Sequence, residues 1–179
     1  MNRRTVLCGV VALMIAAGTL VRAAETLRIV PITSDDTLVV SFELSEAYND
    51  EIRQAIASGL RTQFTYDIEL RMVVPTWVDR SVATTVVNIS DQYDNLTRRH
   101  SLTRTVDGRI QDAVVTGDDA IVRQWLTTVT RLPLVETAKL DASHDYYVRI
   151  SARARPHGSS MIGWANAITG QAKFTFIPR

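Results

Sequence analysis

The sequence predicts an α+β fold that is mainly β: an antiparallel sheet or a two-layer β-sandwich with two packed helices. Several segments alternate polar and apolar residues with a period of two, the signature of a half-buried strand. Only two segments carry apolar residues at helical spacing. Strands also outnumber helices, and the two do not alternate one for one. That argues against a doubly wound parallel sheet.

The elements follow in order. Residues 36–44 read as a strand with Leu38, Val40, Phe42 and Leu44 on one face. Residues 48–60 read as a helix. Tyr48, Ile52, Ala55 and Ile56 recur at helical spacing, Asn49 or Ser45 can cap the start, and Gly59 supplies the stop. Residues 62–72 alternate most cleanly: Phe64, Tyr66, Ile68, Leu70 and Met72 point one way, and Gln63, Thr65, Asp67, Glu69 and Arg71 the other. Pro75 ends that strand, and Trp77-Val78-Asp79 reads as a turn. Residues 82–93 are rich in β-branched residues and apolar on parts of both faces, which predicts a central strand. Asp94-Asn95 marks a turn, and residues 96–106 read as the return strand, with Leu96, Leu102 and Val106 on one face.

Asp107-Gly108 is a further turn. Thr116 opens the second helix, with Asp118 and Asp119 where the helix dipole favours acids. Its expected buried stripe is Ile121, Val122, Trp125, Leu126 and Val129, and Pro133 is expected to end it. Residues 146–155 read as a strand with Tyr146, Val148, Ile150, Ala152 and Ala154 inward. Tyr147, Arg149, Ser151, Arg153 and Arg155 face outward. Residues 156–170 read as a loop carrying Met161, Ile162 and Trp164. Residues 172–178 read as the last strand, anchored by Phe174 and Phe176.

The chain of 179 residues has 20 Lys+Arg against 19 Asp+Glu, a formal charge of +1. The near-neutral balance argues against a general nucleic-acid binder. Residues 1–23 read as a secretory signal peptide. Arg3-Arg4 is the basic start, 5–21 the apolar stretch, and Val21-Arg22-Ala23 the cleavage pattern. An uncleaved anchor is the competing reading, weakened by the short stretch and by Gly9 and Gly18. Residues 24–179 then form a single β-rich globular domain, expected in the periplasm. Losing Arg3, Arg4 and Arg22 leaves 17 basic against 19 acidic residues, a charge of −2. The only cysteine, Cys8, also goes, so the exported chain has no disulfide, thiol nucleophile or Cys-ligated metal.

No motif specifies a reaction, so no catalytic residue, metal or cofactor is expected. His100, His144 and His157 lack metal-ligand spacing. Ser143-His144-Asp145 contains the residue types of a catalytic triad, but three consecutive residues cannot supply its geometry. Asp67 and Glu69 share a strand face about 7 Å apart and read as a solvated surface. The arginines are more suggestive: 18 of the 20 basic residues are Arg. Arg98, Arg99 and Arg104 fall on one predicted strand, and Arg149, Arg153 and Arg155 on one face of another. If those strands are neighbours, they form a basic strip suited to anionic lipid, cell-wall polymer or an acidic protein loop. The competing reading is protection of exposed strands against aggregation. Trp164, in an apolar loop, is a further candidate contact, unless the loop folds back onto the core.

The order of certain segments carries a resemblance. Ile56-Ala57-Ser58-Gly59-Leu60 runs into the alternating stretch 64–70. Trp77-Val78-Asp79 follows, then Ile89-Ser90-Asp91-Gln92-Tyr93-Asp94-Asn95-Leu96-Thr97, the helix with Trp125, and the ending Ala172-Lys173-Phe174-Thr175-Phe176-Ile177-Pro178. This resembles the bacterial DUF4390 family, small exported proteins of unknown function. The resemblance implies a signal peptide and genes near membrane sensor kinases. It implies no catalytic residue, because the family offers none.

Three functions follow as expectations. The first is a non-catalytic binding or adaptor module acting on an envelope partner such as a membrane sensor. The second is a carrier of a small apolar or anionic ligand, in a pocket lined by Phe64, Tyr66, Trp125 and Phe174; a packed core there would sink it. The third, a hydrolase, requires His100 or His144 to meet a carboxylate and a serine hydroxyl in one cleft. The oligomeric state is not legible.

Overall fold

The computed structural model describes residues 27–156 and 168–174. Two antiparallel sheets share one core, so of the two expected architectures the two-layer sandwich is the one formed. The smaller sheet has the order β1-β2-β7 and the larger β6-β5-β4-β3-β8-β9. The strands are β1 (Arg28–Ser34), β2 (Thr37–Glu43), β3 (Thr62–Met72), β4 (Arg80–Asp94), β5 (Arg99–Val106), β6 (Arg109–Thr116), β7 (Thr128–Glu136), β8 (Tyr146–Pro156) and β9 (Ile168–Phe174). The helices are α1 (Asp50–Ala57) and α2 (Asp119–Thr127). No helix among the described residues is long and apolar enough to cross a membrane.

The inner face of the large sheet carries Phe64, Tyr66, Ile68 and Leu70 from β3 and Val148 and Ile150 from β8. They pack in one cluster with Leu38, Val40 and Phe42 of the small sheet, Ile52 and Ile56 of α1, and Val122 and Leu126 of α2. Both helices and the small sheet therefore cover the same face. Asn49 caps α1 by accepting from the Ile52 N–H at 3.0 Å, and Asp118 caps α2 by accepting from the Ala120 N–H at 2.8 Å. Gly59, at φ 82°, ends α1 as expected. β4 is central, between β3 and β5.

Three strands escape the sequence reading. β1 pairs with β2 through a turn in which Asp35 and Asp36 both take positive φ, the geometry of a tight hairpin. β6 pairs with β5, but a register shift breaks its alternation. β7 replaces the expected end of the second helix, which stops at Thr127 rather than at Pro133. Pro133 lies inside β7, an edge strand whose pairing with β2 shifts at Leu38/Val39. Edges and bulges are where strands tolerate proline.

The C-terminal end of α2 is closed by side chains from the large sheet. The Tyr66 hydroxyl donates to the Leu126 carbonyl at 2.7 Å. Arg104 Nη2 donates to the carbonyls of Trp125 at 3.2 Å and Thr128 at 3.1 Å, and its guanidinium lies 4.6 Å from the Trp125 ring centre. A cation on terminal carbonyls complements the helix dipole, so this helix ends without a glycine.

Several expected placements differ. Leu96 is 95 % exposed in the β4–β5 turn, because β5 begins only at Arg99. The inward position goes to His100. Ile121 is exposed on α2, outside its buried stripe, and Val129 belongs to β7. Residues 168–170 are strand rather than loop. Gly170 lets β1 approach β9: a Cβ there would lie 3.1 Å from Leu27. The expected anchor Phe176 and the stretch 157–167 lie outside the described residues.

Candidate functional site

The outer face of the large sheet is built by the alternation of β3 and its neighbours. Register places Thr65 opposite Arg153, Asp67 opposite Ser151, Glu69 opposite Arg149 and Arg71 opposite Tyr147. On the other side, Thr65 lies opposite Asn88 and Glu69 opposite Thr84. These side chains bind one another. Asn88 Oδ1 accepts from Thr65 Oγ1 at 2.8 Å and from Gln63 Nε2 at 3.0 Å. Arg153 pairs with Asp67, and Arg71 Nη1 reaches Glu69 Oε2 at 2.8 Å. A shallow open depression of about 380 Å³ runs between Asp67, Glu69, Thr84, Val86, Ser151 and Arg153.

At one end of this face a clamp fixes the β3–β4 loop. Tyr147, expected to face solvent, is buried. Its hydroxyl donates to Asp79 Oδ2 at 2.7 Å, and Arg71 Nη2 donates to the Asp79 carbonyl at 2.7 Å. The bond from Tyr147, helped by the Val74 N–H, holds the Asp79 carboxyl below the usual carboxylate range. Burial, then the bond to Asp79, pushes the Tyr147 phenol up. The clamp presents Trp77, 82 % exposed, and Val78, 75 % exposed, at the tip.

The expected basic strip does not form. β5 and β8 are separated by β4 and β3. Arg104 turns inward to α2, where burial lowers its pKa. Arg98 sits in the β4–β5 turn at φ 55°, and Arg99 begins β5, exposed. Arg149 and Arg153 do lie on the outer face. Arg155 occupies β8 opposite Gln63, but its side chain, like all of Trp164, lies outside the described residues.

A second cluster escaped sequence reasoning. Asp91 of β4 is fully buried, and its Oδ2 lies 2.8 Å from Nδ1 of buried His100 on β5. His100 Nε2 lies 3.6 Å from Asp119 Oδ1 at the start of α2, and the Tyr93 ring lies 4.6 Å from the imidazole. Among the described residues, Asp91 Oδ1 has no hydrogen-bond partner. Burial pushes the Asp91 carboxyl above its ordinary value, against the opposing pull of His100. Burial, with help from Asp119 and Asp91, also raises the Tyr48 phenol. One signal was available: Asp91 shares parity with Val87 and Ile89, and His100 with Leu102, all inward positions.

The other histidine cluster is a surface turn. Asp141, not Asp145, joins Ser143 and His144. Ser143 Oγ lies 3.1 Å from His144 Nδ1, and Asp141 Oδ2 lies 3.1 Å from that same nitrogen. A relay needs the acid on one ring nitrogen and the hydroxyl on the other. Hydrogen bonds from Ser143 hold Asp141 below the usual carboxylate range. Among the described residues, no group of three or more His, Cys, Asp or Glu could hold a metal. Among the described residues the expected ligand pocket is not open: Phe64 and Tyr66 are packed in the core, the Phe174 side chain lies outside the described residues, and the gap beside Phe64 measures about 10 Å³. That is at most the room of a single water.

No curated protein and no solved structure matches this chain. A family described as "Domain of unknown function (DUF4390)" matches residues 22–157, which span β1 to β8 and both helices. With its motif order and well over half of its length so matched, the chain belongs to the DUF4390 family.

Proposed function

We infer that this protein is an exported binding module of the cell envelope, non-catalytic, whose partner is a membrane protein such as a sensor. The observation that carries this reading is the outer face of the large sheet. Both helices and the small sheet pack on the opposite face. What remains is a broad, preformed polar surface: the Gln63–Asn88–Thr65 network, the Asp67–Arg153 pair and the depression that this pair lines. Such a surface suits a flat, polar protein contact, with Trp77 at its end as an aromatic anchor.

The test uses photo-crosslinking side chains placed at Thr65, Thr84 and Glu136 in cells. One membrane protein captured from Thr65 and Thr84 but not from Glu136, on the small sheet, supports the reading. Capture from none, or equally from all three, overturns it. Salt should weaken a contact that uses Asp67 and Arg153. Export is tested by mass spectrometry of the protein from the periplasmic fraction. A chain beginning at Ala24 supports it, and an intact N-terminus in the cytoplasm overturns it.

A further inference from the structure

The two edges of the large sheet differ. β9 is flanked by β1 and the residue before it: the side chains of Leu27 and of Ile29 in β1 lie against Gly170. β6 ends the other side of the sheet with no strand beyond it among the described residues. Seven of its eight residues are exposed or half-buried, among them Ile110 at 72 % and Val115 at 56 %. An uncovered edge of this length is a template for another strand.

Its register selects the partner. Ile110 lies opposite Thr105, Ala113 opposite Thr103 and Val115 opposite Ser101, with Gln111 as the extra residue at the shift. The bulge therefore brings Ile110, Ala113 and Val115 into one row on the outer face, although Ile110 and Val115 are five residues apart. That row is self-complementary. Antiparallel pairing of two β6 strands about Ala113 sets Ile110 of each copy opposite Val115 of the other.

Charge agrees with this direction. β6 begins at Arg109, which makes no ion pair among the described residues, and leads into Asp118 and Asp119. Antiparallel pairing brings Arg109 of each copy toward Asp118 and Asp119 of the other, whereas parallel pairing would set Arg109 beside Arg109. We propose that a second copy of this chain pairs antiparallel along β6, centred on Ala113, so that two large sheets become continuous. The outer faces of both copies then lie on the same side. This dimer does not depend on the envelope-partner reading.

The test uses the full chain, purified as the cell processes it, in a Cys8→Ser background. Residues paired across the two-fold axis have Cα atoms about 4.5–5.5 Å apart, within disulfide reach. Ala113→Cys should give a covalent dimer on mild oxidation, while Ile110→Cys alone should not, and Ile110→Cys with Val115→Cys should. Sedimentation should show a dimer, and Ile110→Lys should raise its dissociation constant at least about tenfold with the circular dichroism unchanged. A chain that stays monomeric at high concentration overturns the proposal. So does a dimer that Ile110→Lys leaves intact and Ala113→Cys does not trap. Cross-linking of Ala113→Cys in cells to a different protein, with none to itself, also overturns it.

Discussion

On the inner face of β3, Phe64, Tyr66, Ile68 and Leu70 are closed off from water. On the outer face of the same strand, Gln63, Thr65, Asp67 and Glu69 meet polar side chains and solvent. The backbone and its register are common to both faces, so stability and contact chemistry are divided by side-chain parity alone. A change inside should cost folding free energy. A change outside should cost binding and leave the fold standing.

Ile68→Ala should sharpen that contrast most. Deleting a buried branched side chain costs about 2–5 kcal/mol, and urea denaturation should show a lower midpoint with the slope preserved. His100→Ala should follow. It leaves Asp91 buried without its partner, and breaking a buried pair costs roughly 3 kcal/mol. Tyr66→Phe removes one buried hydrogen bond to the end of α2, worth about 1 kcal/mol by thermal unfolding. Arg153→Ala should be the smallest, below about 1 kcal/mol, because exposed ion pairs contribute little. A loss from Arg153→Ala as large as that from Ile68→Ala would break the division between the faces.

pH probes the inner face through Asp91, which comparison with an Asp91 variant isolates. The folded-state pKa of Asp91 is raised, so the folded protein holds that proton longer than the unfolded chain does. The resulting stabilisation is full below the unfolded pKa and is lost as pH rises through the folded pKa. Denaturation midpoints should therefore show the wild type losing stability relative to Asp91→Asn as pH rises from strongly acidic toward neutral. The opposite trend would mean that the imidazole more than compensates the buried carboxylate.

Much of the fold was legible because its causes are local. β3 has the boundaries its alternation implies. The Asn49 cap, the Gly59 stop and the turns at Asp94 and Asp107 each need only a few consecutive residues, whereas α2 opens at the Asp118 cap rather than at Thr116. β1, β6 and β7 were not legible. Pro31 and Pro133 interrupt two of them, and a bulge breaks the period of the third. Of the candidate arginines, exposure was legible only in part. Arg149 and Arg153 do face outward, while Arg104 reaches the carbonyls of a helix more than twenty residues away in sequence.

The sequence by itself determined which residues alternate, where caps and turns fall, and how the resemblance to the DUF4390 family arises. Each depends on neighbours along the chain. Strand order was decided only by the tertiary structure. It puts β4 and β3 between the two arginine-bearing strands, joins Asp91 to His100, and leaves β6 at the edge while β1 flanks β9. The physical reason is that pairing between distant strands is selected by burial of one shared core, a sum over many segments that no single segment encodes.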